Sequence, residues 1–226
     1  VALWRPLSCG PGRQAIDDQP SWPRLRRSLY VSAMPTVALK SGPSQCRAEG
    51  TVVNIANHFA RAAHLWPDNP AVARGATTLS SYRVSAQRIA SLAGALQGAG
   101  LAPGDRVALV LKNCPEYLEL MYACWHAGLV AVPVNAKLHR DEFAYILHNS
   151  GARVAFASTD LAHTIGSTAV TTLERIIEVP GGDYAAMVSG DAVAVVERQA
   201  RDAAWLFYNS GTTGRHKGAT LTHRNL

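Results

Sequence analysis

The chain has few cysteines and no long apolar segment. Its 226 residues include four cysteines with none of the short spacings typical of metal sites: Cys9, Cys46, Cys114 and Cys124. The last two fall in a predicted strand end and helix, which favours reduced core thiols over disulfides and is typical of an intracellular protein. No run of about 18 or more apolar residues is available to span a membrane. We therefore expect a soluble, cytoplasmic protein without an integral membrane segment, and we assign no metal-binding residue.

The chain also lacks the charge pattern of a nucleic-acid-binding protein. Its formal net charge is +6, but residues 1–50 contain seven Lys or Arg and three Asp or Glu, a surplus of +4, which leaves +2 for the other 176 residues. Aromatic residues do not alternate with basic ones in that larger part, so nucleic acid is not an expected partner. With 48% apolar and 17% charged residues, the composition is that of a globular protein.

The first 48 residues lack the periodicity of helices or strands. They contain scattered arginines and six prolines, Pro6, Pro11, Pro20, Pro23, Pro35 and Pro43. This composition predicts disorder. The continuous apolar stretch of a secretory signal is missing, whereas the arginines between positions 24 and 27 are typical of a transit peptide and the acidic pair at 17 and 18 is not. Two interpretations of residues 1–48 stay open: an organelle-targeting segment, or a non-native extension upstream of a start at Met34.

Residues 49–226 alternate between helical and strand patterns. Apolar residues recur at helical spacing before Pro67 and again over 85–97, and a continuous apolar strand follows over 107–111. Pro115 opens a helix for which Asn113 is the predicted cap. The remaining predicted elements are a strand over 129–134, a short helix over 141–147, and strands over 154–157 and 204–208. Because strands alternate with crossover helices, we predict an α/β fold with a mostly parallel, helix-covered sheet.

A run of small, hydroxylated and glycine residues follows the last predicted strand. Residues 208–218 read Tyr-Asn-Ser-Gly-Thr-Thr-Gly-Arg-His-Lys-Gly. The glycines let backbone N–H groups approach a ligand, the hydroxyls add donors, and Lys217 adds a positive charge, a combination that suits phosphate. A solvated turn has a similar composition but is rarely this long. Open α/β sheets bind ligands beyond the carboxyl ends of their strands, which agrees with the position of this run.

The run differs from the common phosphate loop of NTPases. That loop closes its glycine-rich turn with Gly-Lys followed by Ser or Thr. Here Gly211 and Gly214 are three residues apart, and Gly218 stands where Ser or Thr would bind magnesium. An NTPase of that kind is therefore the least favoured hypothesis.

The same run resembles, almost residue for residue, the signature of the AMP-forming acyl-adenylating enzymes, which include acyl-CoA synthetases, luciferases and peptide-synthetase adenylation domains. That signature reads Tyr-Thr/Ser-Ser-Gly-Thr-Thr-Gly-x-Pro-Lys-Gly, and the chain departs from it at Asn209 and His216. Further segments resemble the family at residues 103–108, 113–117, 125–135, 143–153 and 220–225. The resemblance thus covers about residues 51–226.

The resemblance implies a two-step ligase that uses ATP, Mg²⁺ and CoA. A small-molecule carboxylate would attack the α-phosphate of ATP, pyrophosphate would leave, and the acyl-adenylate would pass its acyl group to the thiol of CoA. Lys217 is the implied catalytic residue, because it would offset charge on the leaving pyrophosphate. His216 would add a donor and, if protonated, attract phosphate. The implied phosphate-binding residues are, besides Lys217, Ser210, Gly211, Thr212, Thr213 and Gly214.

Members of that family have further nucleotide- and acid-binding segments well after the signature. The resemblance therefore implies that residues 49–226 are a partial AMP-binding domain, truncated after the phosphate-binding loop and inactive alone. The alternative is a short non-catalytic protein that binds nucleotide or a partner. The sequence is nearest in character to fatty-acyl and aryl-acid CoA ligases, but it predicts neither the acid nor the oligomeric state.

Several other polar residues are expected to have no catalytic role. His58 and His64 lack the spacing of a paired metal ligand and are expected at the surface or in packing. His126 is expected at a helix end, where interaction with the helix dipole accounts for it. For His223, packing against the sheet is favoured over contact with a nucleotide. Asp202 is expected to be solvated.

Overall fold

The computed structural model describes residues 53–210 and 216–226, so the predictions for residues 1–48 and 211–214 fall outside the described part. The helices are α1 (Ala56–Leu65), α2 (Tyr82–Gly98), α3 (Pro115–His126), α4 (Arg140–Ser150), α5 (Thr159–Gly166) and α6 (Gly182–Val188). The strands are β1 (Pro70–Arg74), β2 (Thr77–Ser81), β3 (Arg106–Val110), β4 (Val130–Pro133), β5 (Val154–Ala157), β6 (Arg175–Glu178), β7 (Ala203–Ser210) and β8 (His216–Thr222). Among these described helices, none is long and apolar enough to cross a membrane.

Six of the strands form one sheet in the order β6-β5-β3-β4-β7-β8. All neighbouring pairs in it are parallel except β7 and β8, which are antiparallel. Strands β1 and β2 form a separate antiparallel pair. The predicted α/β fold with a mostly parallel sheet is confirmed.

The central strand β3 is buried on both faces of the sheet. Val107, Ala108, Leu109 and Val110 have no exposed surface. Val107 and Leu109 pack into a cluster with residues of α2 and α3, whereas Ala108 and Val110 pack into a second cluster with residues of α4 and α5. Helices therefore cover both faces, as the continuous apolar run at this strand predicts.

The two described cysteines are free thiols, as the sequence predicts. Cys124 lies in the core, and burial raises the pKa of its thiol to about 12. Burial also raises the pKa of the partly buried Cys114 thiol. Neither thiol is activated as a nucleophile, because the thiolate is the reactive form.

Helix α3 begins at Pro115, as predicted, but Asn113 does not cap it. Cys114 occupies the N-cap position with an extended backbone, φ −145°, and makes no side-chain hydrogen bond to the helix. The prediction for Asn113 is wrong by one position, because the capping side chain must belong to the residue directly before the first helical one.

Helix α4 extends beyond the predicted 141–147 at both ends. It starts with a capping box, in which the Asp141 N–H donates to the His139 ring and the His139 N–H donates to the Glu142 carboxylate at 2.8 Å. It ends at Gly151, which adopts the left-handed conformation at φ 61°. The capping box and Gly151 determine where the helix begins and ends, and the helix is longer than the spacing of its apolar residues indicates.

The sequence prediction omitted six elements: β1, β2, α5, β6, α6 and β8. The strands among them are mostly exposed or lie at a sheet edge, so they lack a continuous apolar run. Helices α5 and α6 have only 8 and 7 residues, too few for a clear helical period.

A buried polar network around Glu119 connects α2, α3 and α6. The Arg88 Nε donates to both Glu119 oxygens at 2.9 and 2.8 Å, and the Tyr184 hydroxyl donates to Oε2 at 3.2 Å. Only 5% of the Glu119 side chain is exposed. Burial raises the pKa of the Tyr184 hydroxyl, which keeps it protonated as a donor. Since a buried carboxylate needs partners, these contacts hold the three helices in register.

Gly94→Ala is expected to destabilise the fold, although alanine is the better helix former. A Cβ at Gly94 would overlap the Asp191 carbonyl oxygen and lie 3.2 Å from Val193 Cγ1, so the segment beside α2 would have to move. We expect a loss of about 1–3 kcal/mol in the free energy of unfolding, measured by chemical denaturation. Gly98→Ala is the matched control on the same helix.

A Cβ at Gly98 meets nothing within 4 Å. Gly98→Ala should therefore raise the free energy of unfolding, by up to about 1 kcal/mol. Equal stabilisation by both substitutions would show that α2 does not pack closely on the segment around Asp191.

Candidate functional site

A cavity of about 710 Å³ opens at the carboxyl ends of β3, β4 and β7. From β3 the chain first adds β4 on one side and later adds β5 on the other, so the cavity lies where the strand order reverses. Ligands of open α/β sheets bind at such a switch point. The polar residues that line the cavity are Lys112, Asn113, Asn135, Lys137, Asn209 and His216.

The sequence interpretation missed most of these lining residues. Lys112 and Asn113 come shortly after β3, and Asn135 and Lys137 come shortly after β4. The rule that ligands bind beyond the carboxyl ends of strands would have pointed to all four. Lys112 forms an ion pair with Asp160 at 2.7 Å, so part of its charge is already neutralised.

Strands β7 and β8 flank the glycine-rich run at this same edge of the sheet. In their pairing Ser210 lies opposite His216, Asn209 opposite Lys217 and Tyr208 opposite Gly218. The structure thus places the backbone of Ser210 and the residue Lys217. The other four predicted phosphate-binding residues lie outside the described residues: Gly211, Thr212, Thr213 and Gly214.

The side chains of Lys217 and its neighbour His216 lie on opposite faces of β8. Successive side chains of a strand point to opposite faces, so Lys217 lies on the face of its pairing partner Asn209, and His216 lies on the other. Lys217 is exposed to solvent. Its pairing partner Asn209 and its neighbour His216 line the cavity, whereas Lys217 itself does not line the wall.

Two signature residues, Tyr208 and Gly218, have a packing role. A Cβ at Gly218 would lie 3.1 Å from the Tyr208 ring, so the glycine makes room for the ring to lie across the β7–β8 pair. The Tyr208 hydroxyl donates to Asn149 Oδ1 of α4 at 2.6 Å. Tyr208 thereby connects the hairpin to the helix that covers this face.

His216 also contacts α4. Its Nε2 donates to Glu142 Oε1 at 2.8 Å, and only 13% of its side chain is exposed. The His139 N–H, and after it the His216 ring, lowers the pKa of the Glu142 carboxyl group. The extra donor that the sequence assigns to His216 is thus used on Glu142.

His223 lies at the end of β8 that is remote from the glycine-rich run. It is 3% exposed, and its Nδ1 accepts a hydrogen bond from the Ile55 N–H at 3.2 Å. The expected packing of His223 is therefore confirmed. His58 and His64 are exposed on α1, as expected.

Two expectations about polar residues are corrected. His126 is buried with its Nε2 2.8 Å from the Val193 carbonyl oxygen, and burial lowers the pKa of its ring. His126 is the last residue of α3, as expected, but a neutral ring that donates to a carbonyl explains it better than interaction of a cation with the helix dipole. Asp202 is partly buried and accepts a hydrogen bond from the Gln199 N–H at 2.8 Å, so it is not simply solvated.

Magnesium has no assigned ligands in the part of the chain that the structure describes. No group of three or more His, Cys, Asp or Glu side chains comes together in residues 53–210 and 216–226. We therefore derive no step through a metal ion from these side chains.

Residues 59–226 match the sequence model of a protein family described as "AMP-binding enzyme". The chain belongs to the AMP-binding enzyme family. It is 40% identical over 166 residues to a feruloyl-CoA synthase of Amycolatopsis sp, an alignment that covers 74% of this chain and 33% of that protein. It is 35% identical over 163 residues to the fatty acid–[acyl-carrier-protein] ligase ScoC of Streptomyces coeruleorubidus, over 71% and 31% of the two chains. The chain spans about a third of the length of these curated relatives.

Solved structures of AMP-binding enzymes share the fold. The N-terminal domain of FACL13 from Mycobacterium tuberculosis superposes with a TM-score of 0.69 at 32% identity, over 76% of this chain and 44% of that one. The anthranilate CoA ligase AuaEII superposes with a TM-score of 0.71 at 22% identity, over 77% of this chain and 34% of that one. This second likeness concerns the fold alone. Together these matches confirm the resemblance and the fold class that the sequence predicts.

Proposed function

We propose that this AMP-binding enzyme chain supplies the phosphate-binding part of an ATP-dependent carboxylic acid:CoA ligase. The observation that carries the proposal is the position of Lys217, which pairs with Asn209 at the carboxyl end of β7, beside the cavity that Asn209 lines. Relatives named as CoA ligases for aromatic and long-chain fatty acids support it.

In the proposed reaction a carboxylate oxygen attacks the α-phosphorus of ATP and the bond to pyrophosphate breaks. The thiol of CoA then attacks the acyl carbonyl, and AMP leaves. Lys217 offsets the charge that develops on the departing pyrophosphate, and the residues 210–214 hold the β- and γ-phosphates with hydroxyls and backbone N–H groups. Mg²⁺, which the family resemblance implies, would supply further positive charge at the phosphates.

We further propose the domain division that the sequence suggests, with residues 1–48 outside the catalytic unit and residues 49–226 forming part of an AMP-binding domain. The alignments cover 33% and 31% of the two curated relatives, which supports a partial domain. We propose that the 226 residues alone bind ATP without forming acyl-adenylate. The two described cysteines, Cys114 and Cys124, are free, which is consistent with action in the cytoplasm.

ATP–pyrophosphate exchange tests this assignment. The chain is incubated with MgATP, labelled pyrophosphate and a panel of acids that includes ferulic, coumaric and long-chain fatty acids, while ATP binding is measured by calorimetry. Binding of ATP without exchange agrees with the proposal and with the alternative of a non-catalytic nucleotide-binding protein. Exchange that depends on one acid would identify the substrate and overturn the inactivity of the chain alone. Absence of ATP binding at millimolar nucleotide would contradict the proposed phosphate site.

A further inference from the structure

The hairpin of β7 and β8 is attached to α4 by one side chain from each strand. On β8, His216 donates to Glu142 Oε1 at 2.8 Å. On β7, Tyr208 donates to Asn149 Oδ1 at 2.6 Å. Glu142 and Asn149 are seven residues apart, two turns of the helix, so both acceptors lie on the same face of α4. These two hydrogen bonds hold the hairpin against helix α4 near the end where β7 leads into β8.

The contact with Glu142 acts at the first residue of an edge strand. Among the described strands, β8 lies at the edge of the sheet and pairs with β7 alone, and His216 is its first residue. Lys217 follows directly on the opposite face. Any shift of the peptide at His216 therefore moves Lys217 relative to the carboxyl edge of the sheet.

We propose that Glu142 is a positioning residue for phosphate binding, which acts through His216 to hold Lys217 at the carboxyl edge. The inference rests on the proposed function, since it takes Lys217 as the phosphate-binding lysine. In the family signature this position is proline, which fixes the backbone through its ring. In this chain a side-chain hydrogen bond between two elements replaces that covalent restraint.

The positioning role can be separated from the role of Glu142 in the capping box. The His139 N–H donates to Oε2, whereas His216 donates to Oε1. His216→Phe removes the contact with the hairpin and leaves the capping bond in place. Asp141→Ala is the matched control for charge, because Asp141 is a highly exposed carboxylate, 86% accessible, on the same helical turn, and its side chain contacts His139 at 3.4 Å rather than the hairpin.

Two measurements on the 226-residue chain test the proposal: the affinity for MgATP by calorimetry, and hydrogen–deuterium exchange of the amides at residues 216–218. We expect Glu142→Ala and His216→Phe each to weaken ATP binding by roughly 5- to 10-fold and to speed amide exchange by a similar factor. The double variant should be no weaker than either single one, and Asp141→Ala should match the unmodified chain.

Additive losses in the double variant, or unchanged exchange at residues 216–218, would overturn the positioning role. Another outcome is that the unmodified chain binds no ATP while Glu142→Ala and His216→Phe speed amide exchange equally. That result would contradict the proposed function but would support the contact between Glu142 and His216 as a restraint on β8. If ATP bound with equal affinity to all variants, Glu142 would be a helix cap only and the proposal would be wrong.

Discussion

Lys217→Met should weaken MgATP binding by roughly 10- to 100-fold, the loss expected when a charge-assisted hydrogen bond to phosphate is removed. Lys217 lies on an exposed strand face next to residues that line the cavity at the carboxyl edge. Methionine keeps most of the length and apolar stem of the side chain, so the change removes little besides the ammonium group. Calorimetric titration with MgATP measures the effect.

Two further variants make the Lys217 result specific. Arg201→Met removes one positive charge from an exposed residue just before β7, at the opposite edge of the sheet, and should change affinity by less than about 2-fold. Lys217→Arg keeps the charge and should retain most of the affinity. Equal losses for Arg201→Met and Lys217→Met would mean that net charge alone governs ATP binding and that Lys217 has no direct contact.

Glu119→Leu should lower the free energy of unfolding by about 3 kcal/mol or more, because it leaves the partner charge of a buried ion pair uncompensated. Arg88 is 32% exposed, so water recovers part of its solvation and the effect lies near the lower end for such pairs. The Tyr184 and Ser85 hydroxyls also lose their carboxylate acceptor. Urea denaturation followed by circular dichroism gives the value.

The double variant Glu119→Leu/Arg88→Met should recover most of that loss, since two apolar side chains of similar volume leave no buried charge. A loss that stays near 3 kcal/mol in the double variant would contradict the ion-pair explanation and assign the effect to packing of α2, α3 and α6. Glu116→Leu, on the first turn of the same helix, is the control at an incompletely buried carboxylate.

The parts of the fold that were predictable are those with strong local signals. The apolar run at 107–111 identifies β3 because a strand buried on both faces needs apolar residues at every position. Pro115 marks the start of α3 because proline fits the first helical position. Elements such as β8 gave no such signal, since most of its residues are exposed and Gly218 interrupts it. Its strand character comes from pairing with β7, which is a tertiary property.

In the candidate site, too, the features with a local sequence signal were predictable and those that depend on tertiary contacts were not. The signature predicts Lys217 and its neighbourhood because phosphate binding needs glycine, hydroxyl and lysine in close sequence. The partner of His216 was not predictable, because Glu142 is 74 residues away and meets it only when α4 packs on the hairpin. Tyr208 and Gly218 also belong to the signature, yet the reason for their pairing, a ring lying over a glycine, is visible only in the structure.

The most direct test of the phosphate site is a crystal structure of the chain soaked with a non-hydrolysable ATP analogue and Mg²⁺. We predict that the triphosphate lies at the carboxyl edge of β7 with its β- or γ-phosphate within hydrogen-bonding distance of Lys217 Nζ, about 3 Å. A triphosphate bound at the opposite edge of the sheet, or at this edge with Lys217 Nζ directed away from it, would contradict the account.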